Sequence, residues 1–219
     1  MVSQQAFGGS DDDYGGVIRA VATNKFHTVG SSKSSLMGNI QRGGSDYWLT
    51  TTVTSGNLIQ IGQITYGGNF QDEARALEVA PDGTLLVGGS SSSPVSGAYH
   101  GLNQRTASYG LSDFWVLRRM SNGGIIWEAS FGGSLDEELF CLKPTIDGGL
   151  IAGGISYSHP SGTKQSAQFG SGDGWLVKIS ATGTQAWERS YGGAGSDSIN
   201  AVLQTPDGGY LLGATSASI

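Results

Sequence analysis

Four acids stand at one fixed distance from a repeated glycine motif, and they are the first groups in this sequence to weigh for chemistry. An aromatic followed by Gly-Gly occurs at Phe7, Tyr66, Phe131 and Tyr191, and six residues after each aromatic come Asp13, Asp72, Glu137 and Asp197. A carboxylate repeated in every unit of a chain arrives at equivalent places in the fold. There it can accept backbone N–H groups of its own turn, as Asp side chains commonly do. Alternatively, the four can meet near a channel mouth and hold Ca2+ or another hard cation through oxygen ligands. Asp11, Asp12, Asp136 and Glu138 strengthen the negative potential in either case.

Other chemistry is harder to build. General acid/base catalysis needs two carboxyls in different environments at a defined separation, and sequence-equivalent acids argue against that difference. Cys141 aligns with Val17, Ala76 and Ala201, so it reads as a packing residue. One cysteine also excludes an intrachain disulfide and leaves the redox compartment open. His27, His100 and His159 occupy non-equivalent positions without metal-ligand spacing. No nucleophile is paired with them in a way that makes a Ser-His-acid site arguable. The reading is a non-enzyme with no resident cofactor, beyond the Ca2+ or other hard cation the acids could hold.

The elements that must position these groups recur with the acids. The aromatic-Gly-Gly motifs are 59, 65 and 60 residues apart. Sixteen residues after the last three aromatics come turns at Asp82-Gly83, Asp147-Gly148 and Asp207-Gly208, and Asn24-Lys25 does that work in the first unit. An aliphatic run ending in small residues follows, then a variable Ser/Gly-rich stretch. Next come Asp46/Trp48, Asp113/Trp115 and Asp173/Trp175, and finally a strand bearing Trp127 or Trp187 before the next motif. Each unit therefore predicts four short strands; in the second these are 74–80, 84–90, 114–120 and 125–131. Glycines 88, 89, 153 and 154 suit close approach between sheets.

Repeats of this length with four strands per unit predict an all-β fold, a β-propeller of four-stranded antiparallel blades. One domain, 1–219, would hold units at about 10–68, 69–133 and 134–193, with a partial unit made from 194–219 plus 1–9. The partial blade lacks its Asp-x-Trp strand. The chain is cut from a longer propeller, or the N-terminal strand Val2–Phe7 closes a four-bladed ring, or another chain completes a larger one. A bare sheet edge invites pairing, so a homo-oligomer or a longer parent chain is expected.

In an up-and-down blade the stretches after the second and fourth strands leave on the same face. The long stretches 31–45, 90–112 and 155–172 therefore share a face with the four acids, and long loops on a rigid scaffold commonly carry recognition. Tyr99, His100, Gln104, Arg105 and Tyr109 in one, with Tyr157, His159, Lys164 and Gln165 in another, offer stacking faces and hydrogen-bonding groups suited to carbohydrate or protein surfaces.

Composition narrows the partners. The net charge is −6, which argues against a nucleic-acid surface, since such surfaces need clustered Lys and Arg. No apolar run approaches the roughly eighteen residues of a membrane span. Residues 1–9 show neither a basic nor an apolar leader region, so no export signal is visible.

Residues Gly88–Gly97 with Ser112–Phe131, and Gly153–Gly162 with Gly172–Tyr191, resemble a repeat common in secreted multidomain proteins of Bacteroidetes and related bacteria. That repeat runs DGG, an aliphatic stretch, GGxSxSxxSG, a spacer, GxDxWxVKxDxxGxxxW and an aromatic-Gly-Gly. The match covers nearly the whole chain, although the first unit is degenerate at Thr50-Thr51-Thr52 and at Gly62, where Trp is expected. The resemblance implies an extracellular or cell-surface propeller and carries over no catalytic residues. A weaker likeness to quinoprotein propellers rests on the turns Gly123–Trp127 and Gly183–Trp187; in those proteins the motif docks blade on blade. The function expected is a non-catalytic binding or structural module, a candidate for adhesion. The alternative is a carbohydrate-active hydrolase or lyase using channel-mouth carboxylates.

Overall fold

A computed structural model describes residues 8–34, 44–55, 58–94 and 107–218. Fourteen strands make up the regular structure of these residues, and no helix is found among them. The first unit contributes β1 (Asp13–Ala22), β2 (Lys25–Ser32), β3 (Asp46–Ser55) and β4 (Leu58–Tyr66). The second contributes β5 (Asp72–Val79), β6 (Leu85–Ser91), β7 (Asp113–Arg119) and β8 (Ile125–Phe131). The third contributes β9 (Glu137–Pro144), β10 (Leu150–Ser156), β11 (Asp173–Ile179) and β12 (Gln185–Tyr191). Last come β13 (Asp197–Gln204) and β14 (Tyr210–Ser216). Three antiparallel sheets of four follow in chain order, β1-β2-β3-β4, β5-β6-β7-β8 and β9-β10-β11-β12, and a two-stranded sheet β13-β14 ends the series.

The turns explain why strands break where they do. Gly83, Gly148 and Gly208 have φ of +80°, +79° and +88°, a left-handed conformation that glycine adopts without strain. In each, the preceding Asp accepts a backbone N–H two residues on: Thr84 to Asp82 at 3.0 Å, Gly149 to Asp147 at 3.1 Å, Gly209 to Asp207 at 3.2 Å. The first unit makes the same reversal with two residues, pairing Ala22 with Lys25.

Strands β6, β7, β10 and β11 are buried along their whole length, because the second and third sheets are covered on both faces. Trp48, Trp115 and Trp175 are all buried. Tyr47 of the first sheet packs on Trp115 of the second with ring centroids 4.6 Å apart, and Phe114 of the second on Trp175 of the third at 4.9 Å. A side chain at Gly88 would meet Leu142 Cδ2 at 2.6 Å, and one at Gly153 would meet Ile199 Cγ2 at 2.8 Å. These two glycines let sheets approach closely. Gly89 and Gly154 have a different reason to be glycine, since a side chain there would overlap the carbonyl oxygens of Glu73 and Glu138 on the neighbouring strand of the same sheet.

The first strands of the four units share a feature. The pairing slips by one residue at Gly16, Arg75, Phe140 and Asn200, so each of β1, β5, β9 and β13 carries a bulge at the same repeat position. Bulges re-aim side chains. A cavity of about 200 Å³ is lined from all four first strands, by Val17 of β1, Leu77 of β5, Leu142 of β9 and Val202 of β13 among others.

Candidate functional site

Each repeated acid closes the turn that precedes its own first strand. The backbone N–H of the second glycine donates to it: Gly9 to Asp13 at 2.7 Å, Gly68 to Asp72 at 2.7 Å, Gly133 to Glu137 at 2.6 Å and Gly193 to Asp197 at 2.9 Å. Serines from the second strand's end complete the latch. Ser32 and Ser34 donate to Asp13, Ser91 and Ser93 to Asp72, Ser156 to Glu137, and Ser218 to Asp197. The Asp of Asp-x-Trp does related work, Asp113 accepting from Tyr109 N at 2.8 Å and Asp173 from Phe169 N at 2.6 Å.

The two kinds of acid face each other across the motif's first glycine. A side chain at Gly67 would overlap Asp46 and lie 2.8 Å from Asp72 Oδ2; one at Gly132 would overlap Asp113 and lie 2.6 Å from Glu137 Oε2. At Gly192 it would lie 2.8 Å from Asp173 Oδ1 and 2.5 Å from Asp197 Oδ2. All six of these carboxylates are buried. Burial pushes the Glu137 carboxyl above its ordinary value and the Asp113 charge adds to this, while the Gly133 N–H and the Ser158 and Ser156 hydroxyls oppose it. Asp197 is held at about 2 by the Ser216 hydroxyl, the Gly193 N–H and the Ser218 hydroxyl.

These geometries bear on the cation reading. Asp13, Asp72, Glu137 and Asp197 open four different strands and each serves the turn of its own unit. Among the described residues no three His, Cys, Asp or Glu side chains are grouped to hold an ion. Each of the four accepts amide and hydroxyl hydrogen bonds within its own latch.

The loop residues divide. Tyr99, His100, Gln104 and Arg105 lie outside the described residues. Tyr109 presents an exposed ring beside the third loop, where a side chain on Gly162 would meet Tyr109 Cβ at 2.9 Å. His159 and Gln165 are exposed and Tyr157 is half-buried; burial raises the Tyr157 phenol, helped by the charges of Glu138 and Asp136. Lys164 requires a correction. Expected on the binding surface, it is fully buried, with Nζ donating to Ser166 O at 2.8 Å. The loop folds back onto β12, where Glu188 accepts Ser166 N at 2.7 Å and Trp175 Nε1 at 2.6 Å. Burial lowers the Lys164 ammonium, while Glu188, Asp173 and Glu137 oppose that shift. Its charge balances the acids packed beneath the loop and is not offered to a ligand.

Sequence reasoning missed the charges around the shared cavity. Six residues after each repeated acid stand Arg19, Glu78, Lys143 and Leu203. Arg19 Nη2 lies 2.7 Å from Glu78 Oε1, and Lys143 Nζ lies 2.5 Å from the same oxygen. Burial alone would raise the Glu78 carboxyl, but hydrogen bonds and charge from Arg19 and Lys143 overcome it and hold the group below its ordinary value. At the loop end of the cavity the bulged Arg75 pairs with Glu73 at 3.1 Å and Glu138 at 3.5 Å, its guanidinium 5.5 Å from the Phe140 ring centre. The signal was one repeat position filled by Arg, Glu, Lys and Leu, which is how side chains around a common axis would differ.

No family model matches this chain, and a search of curated proteins finds no match.

Proposed function

We propose that this chain is a non-catalytic binding module with propeller architecture, part of a secreted or cell-surface bacterial protein. It recognises carbohydrate or protein through the face bearing its long loops. One observation carries the reading. Phe70, Tyr109, Leu111, Leu135 and Phe169 are exposed apolar side chains on that face, and the backbone N–H of each is fixed. Tyr109 and Phe169 donate to Asp113 and Asp173; Phe70 and Leu135 donate to Ser93 and Ser158 at 3.0 and 2.9 Å; Leu111 donates to Leu135 O at 3.1 Å. Apolar groups held on fixed backbone lose little freedom on binding, which is what recognition surfaces exploit.

The propeller reading rests on three four-stranded sheets in chain order and on the cavity that all four first strands line. Val2–Phe7, the strand expected to complete the last blade, lies outside the described residues. Extracellular placement rests on the sequence resemblance. The enzyme alternative is the weaker one, because the paired carboxylates are buried and engaged in turns.

The test is a panel of immobilised polysaccharides and proteins probed with the purified chain. Binding without product release, lost in the double variant Tyr109→Ala/Leu111→Ser at an unchanged melting temperature, supports the proposal. Release of oligosaccharide product, or binding untouched by that variant, overturns it.

A further inference from the structure

The first unit departs from the repeat at Gly15 and Gly16, where the other units carry Ala74-Arg75, Leu139-Phe140 and Ile199-Asn200. A cleft of about 390 Å³ lies beside these glycines, bounded also by Tyr14, Lys33, Gln71, Glu73 and Arg75. That volume falls in the range of small-molecule sites, roughly 300–1,000 Å³. Tyr14 is 60% exposed on its wall.

The charges in the cleft are already matched. Lys33 faces Asp12 at 3.4 Å, and Arg75 faces Glu73 and Glu138 at 3.1 and 3.5 Å. Each cation has a carboxylate, so an added anion would displace an existing pair, while a neutral ligand would not. Donors (the Arg75 guanidinium, the Gln71 amide) and acceptors (Glu73, Ser31, Ser45) line the cleft with one exposed aromatic ring. A pyranose matches that arrangement. It has an apolar C–H face for a ring to cover, and a rim of hydroxyls that each donate and accept.

We infer that the cleft at Gly15-Gly16 is a subsite for one neutral hexose ring, stacked on Tyr14 and hydrogen-bonded by Glu73, Arg75 and Gln71. The inference rests on the carbohydrate branch of the proposed function and gives it a place.

A blocking variant is available. Gln71 is exposed and lines the cleft, so Gln71→Trp sets an indole in it. The probes are methyl glycosides of glucose, galactose, mannose and N-acetylglucosamine, read by saturation-transfer NMR and titration. At least one should show saturation transfer, with affinity lowered about tenfold in Tyr14→Ala and binding abolished in Gln71→Trp, both variants keeping the parent melting temperature. Absence of transfer to every glycoside overturns the subsite, as does transfer that persists in Gln71→Trp. Polysaccharide binding that is lost in Tyr109→Ala/Leu111→Ser but intact in Gln71→Trp sinks the subsite alone and leaves the loop-face function standing.

Discussion

Leu86 and Leu211 occupy the same place in their units, yet Leu86 is 1% exposed and Leu211 61%. The difference is the neighbour. Leu86 lies on β6, which has a strand on each side and a sheet against its face, whereas Leu211 lies on β14 in a two-stranded sheet. The other end of the series shows the same contrast, with Ile18 on β1 59% exposed and its counterpart Leu77 on β5 1%. Local sequence specifies the strand in both places, but burial comes from the next unit. Stability in such an array is a sum of unit and interface terms, and the interface between the last sheet and the first is left open among the described residues.

The sharpest way to break this comparison is to truncate tryptophans inside and outside the closed interfaces. Trp115→Ala should cost roughly 3–5 kcal/mol, as for other large buried aromatics. Trp187→Ala, at a residue 37% exposed against Tyr210, should cost about 1 kcal/mol, since its packing is partial. Equal losses in chemical denaturation would remove the interface argument.

Next in size is the open end itself. Val2–Phe7 lies outside the described residues; on the expectation that it pairs beside β14, removing residues 1–8 should lower the melting temperature by several degrees and increase aggregation, because an unpaired edge promotes association. Light scattering should show a monomer if the pairing is within one chain, and a concentration-dependent dimer if it is between two. A deletion variant that melts and elutes like the parent would show that this strand covers nothing.

The two glycine-rich starts provide a third contrast. Gly132→Ala places a methyl group between the Asp113 and Glu137 carboxylates and should cost about 1–3 kcal/mol through overpacking. Gly15→Ala meets open space and should be neutral or stabilising by up to about 1 kcal/mol, by restricting the unfolded chain. Thermal denaturation of the pair distinguishes latch from cleft directly.

Acidity should act with opposite signs on two carboxylates. Glu78 is held below its unfolded value, so its contribution is present above that value and is lost as pH falls through the lowered one. Glu137 is raised, so the folded state gains relative stability as pH drops through its raised value. Glu78→Gln should therefore flatten the loss of stability toward acid by about 1 kcal/mol or less, its cationic partners being partly exposed. Glu137→Gln should remove the opposing gain. Identical pH profiles for parent and both variants would contradict these directions. The smallest effect expected is that of Ca2+: millimolar Ca2+ or EDTA should leave the melting curve unchanged, because a bound ion would raise it with concentration.

How much of this was legible beforehand follows from what repetition records. Strands predicted at 74–80, 84–90, 114–120 and 125–131 lie within two residues of β5 to β8 at every boundary, since four registers agreeing across units leave little freedom. The burial of Trp48, Trp115 and Trp175 was readable for the same reason. Lys164 was not. Whether a lysine in a long polar loop faces water or acids depends on the fold-back onto Glu188, which accepts from Ser166 22 residues away in sequence. The Arg19–Glu78–Lys143 cluster was hidden because a search for sameness overlooks positions where units differ. The paired acids escaped for a related reason: Asp113 and Glu137 belong to consecutive units, and they meet only when one sheet follows another.

The Gly-Gly latches also bear on how the chain would respond to force. Each ties the start of one unit to the linker from the preceding sheet through a carboxylate, an amide and serine hydroxyls, short bonds that shear together. Pulled from its ends, the chain should not lengthen smoothly. It should yield unit by unit, each rupture releasing about 60 residues, or about 20 nm of chain at roughly 3.3–3.6 Å per residue. The sheet β13-β14, with one strand pairing among the described residues where the others have three, should be the first to give way.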